Sequence, residues 1–143
     1  MSNFSETLND LLQENNLTAQ NFASQLGVST TTICRYLNDK HSPKLSAIVM
    51  LADFFNCTSD YILGLEHYSN VSSFNKCPPF GERLHKIITE RSYTPYRFCK
   101  EAKILQSNYS KWKNGKSEPT SLSLIKIAKF LDCSVDYLIG REK

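Results

Sequence analysis

Residues 18–36 read TAQNFASQLGVSTTTICRY, and residues 94–112 read TPYRFCKEAKILQSNYSKW. Each stretch opens on a threonine, Thr18 or Thr94, whose hydroxyl suits a helix N-cap, and Pro95 follows where a fixed φ fits a first helical turn. The helix that begins there is short. It ends near Leu26, where Gly27 can adopt the positive φ of a tight turn. Ser29 then caps a further helix, Thr30 to about Asn38, with Ile33 and Tyr36 pointing inward.

The two stretches belong to an internal repeat. Shifting the chain by 76 aligns residues 4–66 with 80–142 without a gap, and 16 of 63 positions are identical. Apolar character persists at Leu11/Ile87, Val28/Ile104, Ile33/Tyr109 and Ile48/Leu124. Two copies of one domain are expected, spanning 1–66 and 80–143, with a Ser- and Asn-rich linker at 67–79 that ends Cys-Pro-Pro. Fully extended, thirteen residues reach roughly 43 Å. The linker's apolar members Tyr68, Val71 and Phe74 offer the alternative of packing onto one domain.

Working outward, a helix precedes each motif, with Phe4, Leu8, Leu11 and Leu12 (Phe80, Leu84, Ile87 and Ile88 in the second copy) spaced as a buried stripe. Pro43 marks an extended connection to a fourth helix carrying Leu45, Ile48, Leu51, Ala52 and Phe55. Thr58 and Ser134 cap a short fifth helix, with Asp60 in its first turn to suit the dipole, and Gly64 and Gly140 stop it. No period-2 alternation marks a strand, so the fold class is all-α.

Composition narrows the function. The longest apolar run, Ala47 to Ala52, is too short to cross a bilayer, and with no basic stretch leading into an apolar one near Met1 a secretory signal is not expected. A cytoplasmic chain with reduced thiols is expected. The five cysteines and three histidines show no metal-ligand spacing, and no nucleophile–base or carboxylate pair is spaced for catalysis, so neither cofactor nor enzyme activity is expected. The net charge of +3 conceals an asymmetry: residues 1–66 carry three cations against seven acids, and residues 80–143 thirteen against seven. All three cations of the acidic half, Arg35, Lys40 and Lys44, fall within ten residues. Such clustering points to a local anionic partner.

A short helix, a glycine turn and a second helix form a helix-turn-helix. Through residues 18–43 and 94–119, and the closing CSVDYLIG of 133–140, the chain resembles the Cro/phage-repressor (XRE) helix-turn-helix regulators. The resemblance implies two tandem five-helix λ-repressor-like domains whose third helix enters the major groove of double-stranded DNA. Base contacts would come from Thr30, Thr31, Thr32 and Arg35 in one copy, and Gln106, Ser107, Asn108 and Lys111 in the other. Thr methyls match thymine, Gln and Asn match adenine, and Arg or Lys matches guanine. Phosphate contacts would come from Asn38 and Asn114 with Lys40, Lys44, Lys113 and Lys116.

The copies depart from the family pattern. The Gln that commonly follows the second-helix cap is Ala19 or Pro95 here, leaving Gln20 and Arg97 as candidates for that phosphate contact. Lys103 stands at the turn glycine and Leu105 at the capping serine, each costing roughly 1 kcal/mol if the backbone repeats. Tyr36 and Trp112 are expected in the core, Cys57 and Cys133 as small buried hydrophobes, His41 and His85 facing solvent, and Cys77 as the most exposed thiol. Cys34 on the third helix is expected to be structural or neutral, with redox control through Cys34 or Cys77 as the alternative. Two alternatives to a pair of DNA readers remain. The basic second copy binds DNA while the acidic first mediates self-association or binds a protein, or the chain is an antitoxin or adaptor without direct reading.

Overall fold

A computed structural model describes residues 3–67, 69 and 73–142. The chain divides into two compact units, Met1–Ser72 and Ser73–Lys143. The first contains α1 (Asn3–Glu14), α2 (Ala19–Leu26), α3 (Thr30–Leu37), α4 (Leu45–Phe55) and α5 (Ser59–Ile62). The second contains α6 (Phe80–Glu90), α7 (Pro95–Ala102), α8 (Gln106–Lys113), α9 (Ser121–Leu131) and α10 (Val135–Ile139). Among the described residues no strand forms, and no helix is long and apolar enough to cross a membrane.

The backbone repeats with the sequence. Left-handed φ values occur at Asn16 and Ser92, Gly27 and Lys103, Asp39 and Gly115, Asn56 and Asp132, and Gly64 and Gly140, every pair 76 apart. Where the side chain at such a position changes, the chain still takes the same turn. Lys103 therefore adopts φ 60° where Gly27 has φ 78°. Its carbonyl accepts a hydrogen bond from Lys126 Nζ at 2.6 Å.

Each core is built from the same positions. Leu8, Phe22, Ile33, Ile48 and Ile62 are wholly buried in the first unit, and Leu84, Phe98, Leu124 and Leu138 in the second. Burying each such side chain stabilises by about 1.5–3 kcal/mol. Aromatic pairs tie the layers together. Phe22 meets Phe54 edge-on at 5.1 Å and stacks on Phe55 at 5.4 Å, while Phe98 meets Phe130 at 5.8 Å. Tyr36 and Trp112 are buried as expected, lying edge-on to Phe4 and Phe80 at 5.7 and 5.6 Å.

Several expectations need correction. Cys57 is buried but Cys133 only half-buried, and Cys77 is half-buried like Cys34. His41 is exposed and stacks on Tyr36, whereas His85 is half-buried with Nδ1 3.1 Å from the Tyr109 hydroxyl. A tyrosine in place of Ile33 brings that hydroxyl inward, and the histidine on α6 meets it.

The stretch 67–79 divides between the units. Tyr68 and Val71 lie outside the described residues, but Ser69 Oγ accepts the Thr58 N–H at 3.1 Å. Residues 74–78 run along the second unit. Asn75 N–H donates to Arg141 O at 2.8 Å, Asn75 Nδ2 to Glu142 O at 3.1 Å, and the Arg141 guanidinium lies 3.7 Å over the Phe74 ring. Arg141 is 1% exposed, and its Nη1 reaches Asp136 Oδ1 at 3.1 Å. This buried ion pair went unread in the sequence because the repeat gives no hint of it: the position equivalent to Arg141 is Leu65.

Candidate nucleic-acid interface

The outward face of each motif follows from its caps and its buried side. Thr18 Oγ1 accepts the Asn21 N–H at 3.1 Å, and Thr94 Oγ1 the Arg97 N–H at 3.2 Å, starting α2 and α7 at equivalent points. Ser29 Oγ accepts the Thr32 N–H at 3.2 Å and lies 2.8 Å from the Thr32 hydroxyl. Leu105 occupies the same place in extended backbone (φ −65°, ψ 132°) with no side-chain cap. Because Ile33 and Tyr36 face the core in α3, and Tyr109 and Trp112 in α8, the remaining faces point away from it.

Thr30, Thr31 and Arg35 are exposed on α3, and Gln106, Ser107 and Lys111 on α8. Thr31 and Arg35 are four apart, as are Ser107 and Lys111, so each pair stacks on one face. Thr32 and Asn108 are half-buried, and the Thr32 hydroxyl already belongs to the Ser29 cap. The structure thus gathers three of the four expected base-contact residues of each copy on open surface and draws the fourth partly inward.

Beyond each helix the chain closes the same loop. Asn38 and Asn114 are the C-caps, and the Lys40 and Lys116 N–H groups donate to Arg35 O and Lys111 O at 2.9 and 2.8 Å. Asn38, Lys40, Lys44, Lys113, Asn114 and Lys116 are all exposed, as is Gln20. Arg97 is also exposed, but its Nε donates to Glu101 Oε2 at 2.6 Å and its guanidinium lies 4.9 Å over Tyr93. At 59% and 42% side-chain exposure this ion pair is worth little and holds the Arg97 guanidinium only weakly.

The far end of α3 is fixed from α1. Ser5, fully buried, donates its hydroxyl to Tyr36 O at 2.6 Å. The equivalent residue is Gly81, where an added Cβ would fall 2.5 Å from both Trp112 O and the Lys113 Cα. The second unit thus replaces a hydrogen bond by close backbone approach, a use of glycine that the repeat alone did not disclose.

Surface hollows open in each unit, one beside α8 and one between α1 and α5. One, of about 190 Å³, lies between α7 and α8 and is lined by Pro95, Tyr96, Cys99, Gln106, Tyr109, Ser110 and Lys113. Burial raises the Cys99 thiol above its ordinary pKa, and the Tyr109 hydroxyl with it, which keeps both protonated near neutrality. The other, about 330 Å³ in the first unit, is lined by Glu6, Asp10, Glu14 and Glu66 around Tyr61. Burial and then the neighbouring Glu14 push the Tyr61 phenol upward. No group of three or more His, Cys, Asp and Glu among the described residues is arranged to hold a metal ion.

The chain is 37% identical over 60 residues to the SPbeta prophage-derived uncharacterized HTH-type transcriptional regulator YonR of Bacillus subtilis, covering 42% of this chain and 56% of that protein. It is 36% identical over 61 residues to the HTH-type transcriptional regulator AnsR of Bacillus subtilis, covering 43% and 53%. It is 30% identical over 64 residues to the HTH-type transcriptional activator BcrR of Enterococcus faecalis, covering 45% and 31%. The chain therefore spans about half the length, or less, of these relatives. No solved structure gives a significant match. The helix-turn-helix family matches twice, at residues 8–62 and 84–138, and with more than half of its length so matched the chain belongs to that family.

Proposed function

We propose that this chain is a sequence-specific regulator of transcription that binds double-stranded DNA through two readers, α3 and α8. One observation carries the reading. The same short helix, left-handed turn and second helix occur twice in register, each presenting hydroxyl, amide and cationic tips on open surface. An α-helix fits the major groove, and its N-terminal residues are the ones that meet base edges in this motif. The relatives named as regulators of transcription support the same reading.

Selection from random duplex DNA with the full chain tests it. A recovered site with two half-sites is expected. Arg35→Ala and Lys111→Ala, measured at fixed salt, are each expected to cost about 1–3 kcal/mol and to relax preference at one position. If both variants bind the selected site like the parent, the reading with two DNA contacts is wrong.

The acidic hollow of the first unit favours a second reading, in which α8 alone reads DNA and the first unit serves association with a second copy or a protein. In that case Arg35→Ala leaves DNA affinity unchanged while Lys111→Ala lowers it.

A further inference from the structure

We propose that Leu105 reads the C5-methyl group of a thymine, making it a specificity-determining residue of the second unit. The inference rests on the DNA-reading function proposed above and goes beyond the polar and cationic tips assigned there. Leu105 is 68% exposed. An exposed leucine alone means little, since folded surfaces carry many apolar atoms. Its position is what makes it informative.

Leu105 stands at the N-cap of α8, in the extended backbone that suits a capping serine, and supplies no cap. Its counterpart Ser29 does supply one. The second unit therefore forgoes a local hydrogen bond and receives no burial in exchange. Tyr96 and Leu122, 63% and 68% exposed, likewise stand near the starts of α7 and α9, where the first unit has Gln20 and Ser46. Of the three, only Leu105 adjoins the reading residues in sequence, with Gln106 next to it.

The chemistry of the ligand follows from the side chain. Leucine offers no donor or acceptor, so it discriminates only where a base presents an apolar group. In the major groove thymine alone does so, through its methyl. A glutamine at the next position suits adenine, so a thymine neighbouring an adenine step is the matching target.

The test uses the full chain and a duplex selected by it, with each thymine replaced in turn by deoxyuridine, which lacks only the methyl. For the parent chain, one replacement in the second unit's half-site is expected to weaken binding about fourfold, the factor carried by one buried methylene-sized group. Leu105→Ser should bind the thymine site about fourfold more weakly and show no further loss with deoxyuridine there. Leu105→Met should keep the methyl dependence. Leu105→Ser should also melt no lower than the parent, since it regains a cap, so weaker binding cannot be laid to unfolding. The proposal is overturned if no deoxyuridine position matters, or if Leu105→Ser retains the parent's penalty or weakens thymine and deoxyuridine sites alike. A parent chain that enriches no DNA sequence overturns the DNA-reading function as well. Enrichment without methyl dependence overturns only the role of Leu105.

Discussion

Lys103 and Leu105 sit two residues apart in a turn that the first unit builds from Gly27 and Ser29, and both are locally unfavourable. Lys103 holds φ 60°, a region that costs a side chain about 1–2 kcal/mol, partly offset because lysine is less free than glycine in the unfolded chain. Lys103→Gly is therefore expected to stabilise the second unit by about 0.5–1 kcal/mol. For a domain of this size that is a rise of roughly 2–8 °C in melting temperature. Trp112 is the sole tryptophan of the chain and is buried in the second unit, so its fluorescence reports this transition separately from the first. An unchanged or lower transition would show that the turn carries no strain. Arg141 makes the opposite case. Its pairing with Asp136 is almost fully dry, so removing the cation takes the countercharge from a buried carboxylate. Arg141→Met should destabilise the second unit by about 3–5 kcal/mol, and adding Asp136→Asn should recover much of the loss. If the double variant is no more stable than the single one, the stabilisation lies in packing against Phe74 instead of charge. The outward tips of α3 and α8 were legible from their register against Ile33, Tyr36, Tyr109 and Trp112. The half-burial of Thr32 and Asn108 was not, because it depends on neighbouring helices.

Elements were legible wherever their signals are local. Thr18, Ser29, Thr58, Thr94 and Ser134 all cap helices as their residue types demand. The left-handed turns fall at matching positions even where glycine is absent, since the flanking helices dictate the backbone and the side chain adapts. What sequence alone did not disclose is how closely elements approach one another. Between α1 and α3 the Ser5 hydroxyl fills the contact, whereas α6 lies against α8 through bare Gly81. Gly81→Ala would force a methyl to 2.5 Å from the Trp112 carbonyl oxygen, and backbone cannot swing aside like a flexible side chain. The expected cost is about 1–3 kcal/mol, read from chemical denaturation with Trp112 as the probe. The shift should also tilt α8 and weaken DNA binding beyond what lost stability explains. A variant as stable as the parent would mean that α6 can retreat freely. Arg141 escaped sequence reading for a related reason. Its ring partner Phe74 belongs to a stretch with no counterpart in the repeat, and its place in the first copy is taken by Leu65.

At the level of the entire chain, two readers gain from being joined only if the tether is short enough to keep one near its site once the other is bound. The thirteen residues of 67–79 overstate that tether. Ser69 is bonded to Thr58 in the first unit and Asn75 to Arg141 in the second, and the second unit begins at Ser73. Five Cα–Cα steps from Ser69 to Phe74, whose ring lies against the Arg141 guanidinium, limit that span to about 18 Å, short enough for a high effective concentration if both units read DNA. The charge division acts alongside. If both units read DNA as proposed, residues 80–143, with thirteen cations against seven acids, would supply most of the salt-sensitive attraction, and residues 1–66, with three against seven, would rely on the few cations near α3. Inserting twenty Gly/Ser residues after Asn70 lengthens the tether about fivefold and, by the −3/2 power of length, should lower effective concentration on the order of tenfold. Affinity for duplex carrying both half-sites should fall by the same factor, while affinity for a single half-site stays constant. Insertion leaves every residue of both readers untouched, so any loss isolates the benefit of linkage. If the lengthened chain binds the double site as tightly as the parent, the two units do not engage DNA together, and the first is free to hold a different partner.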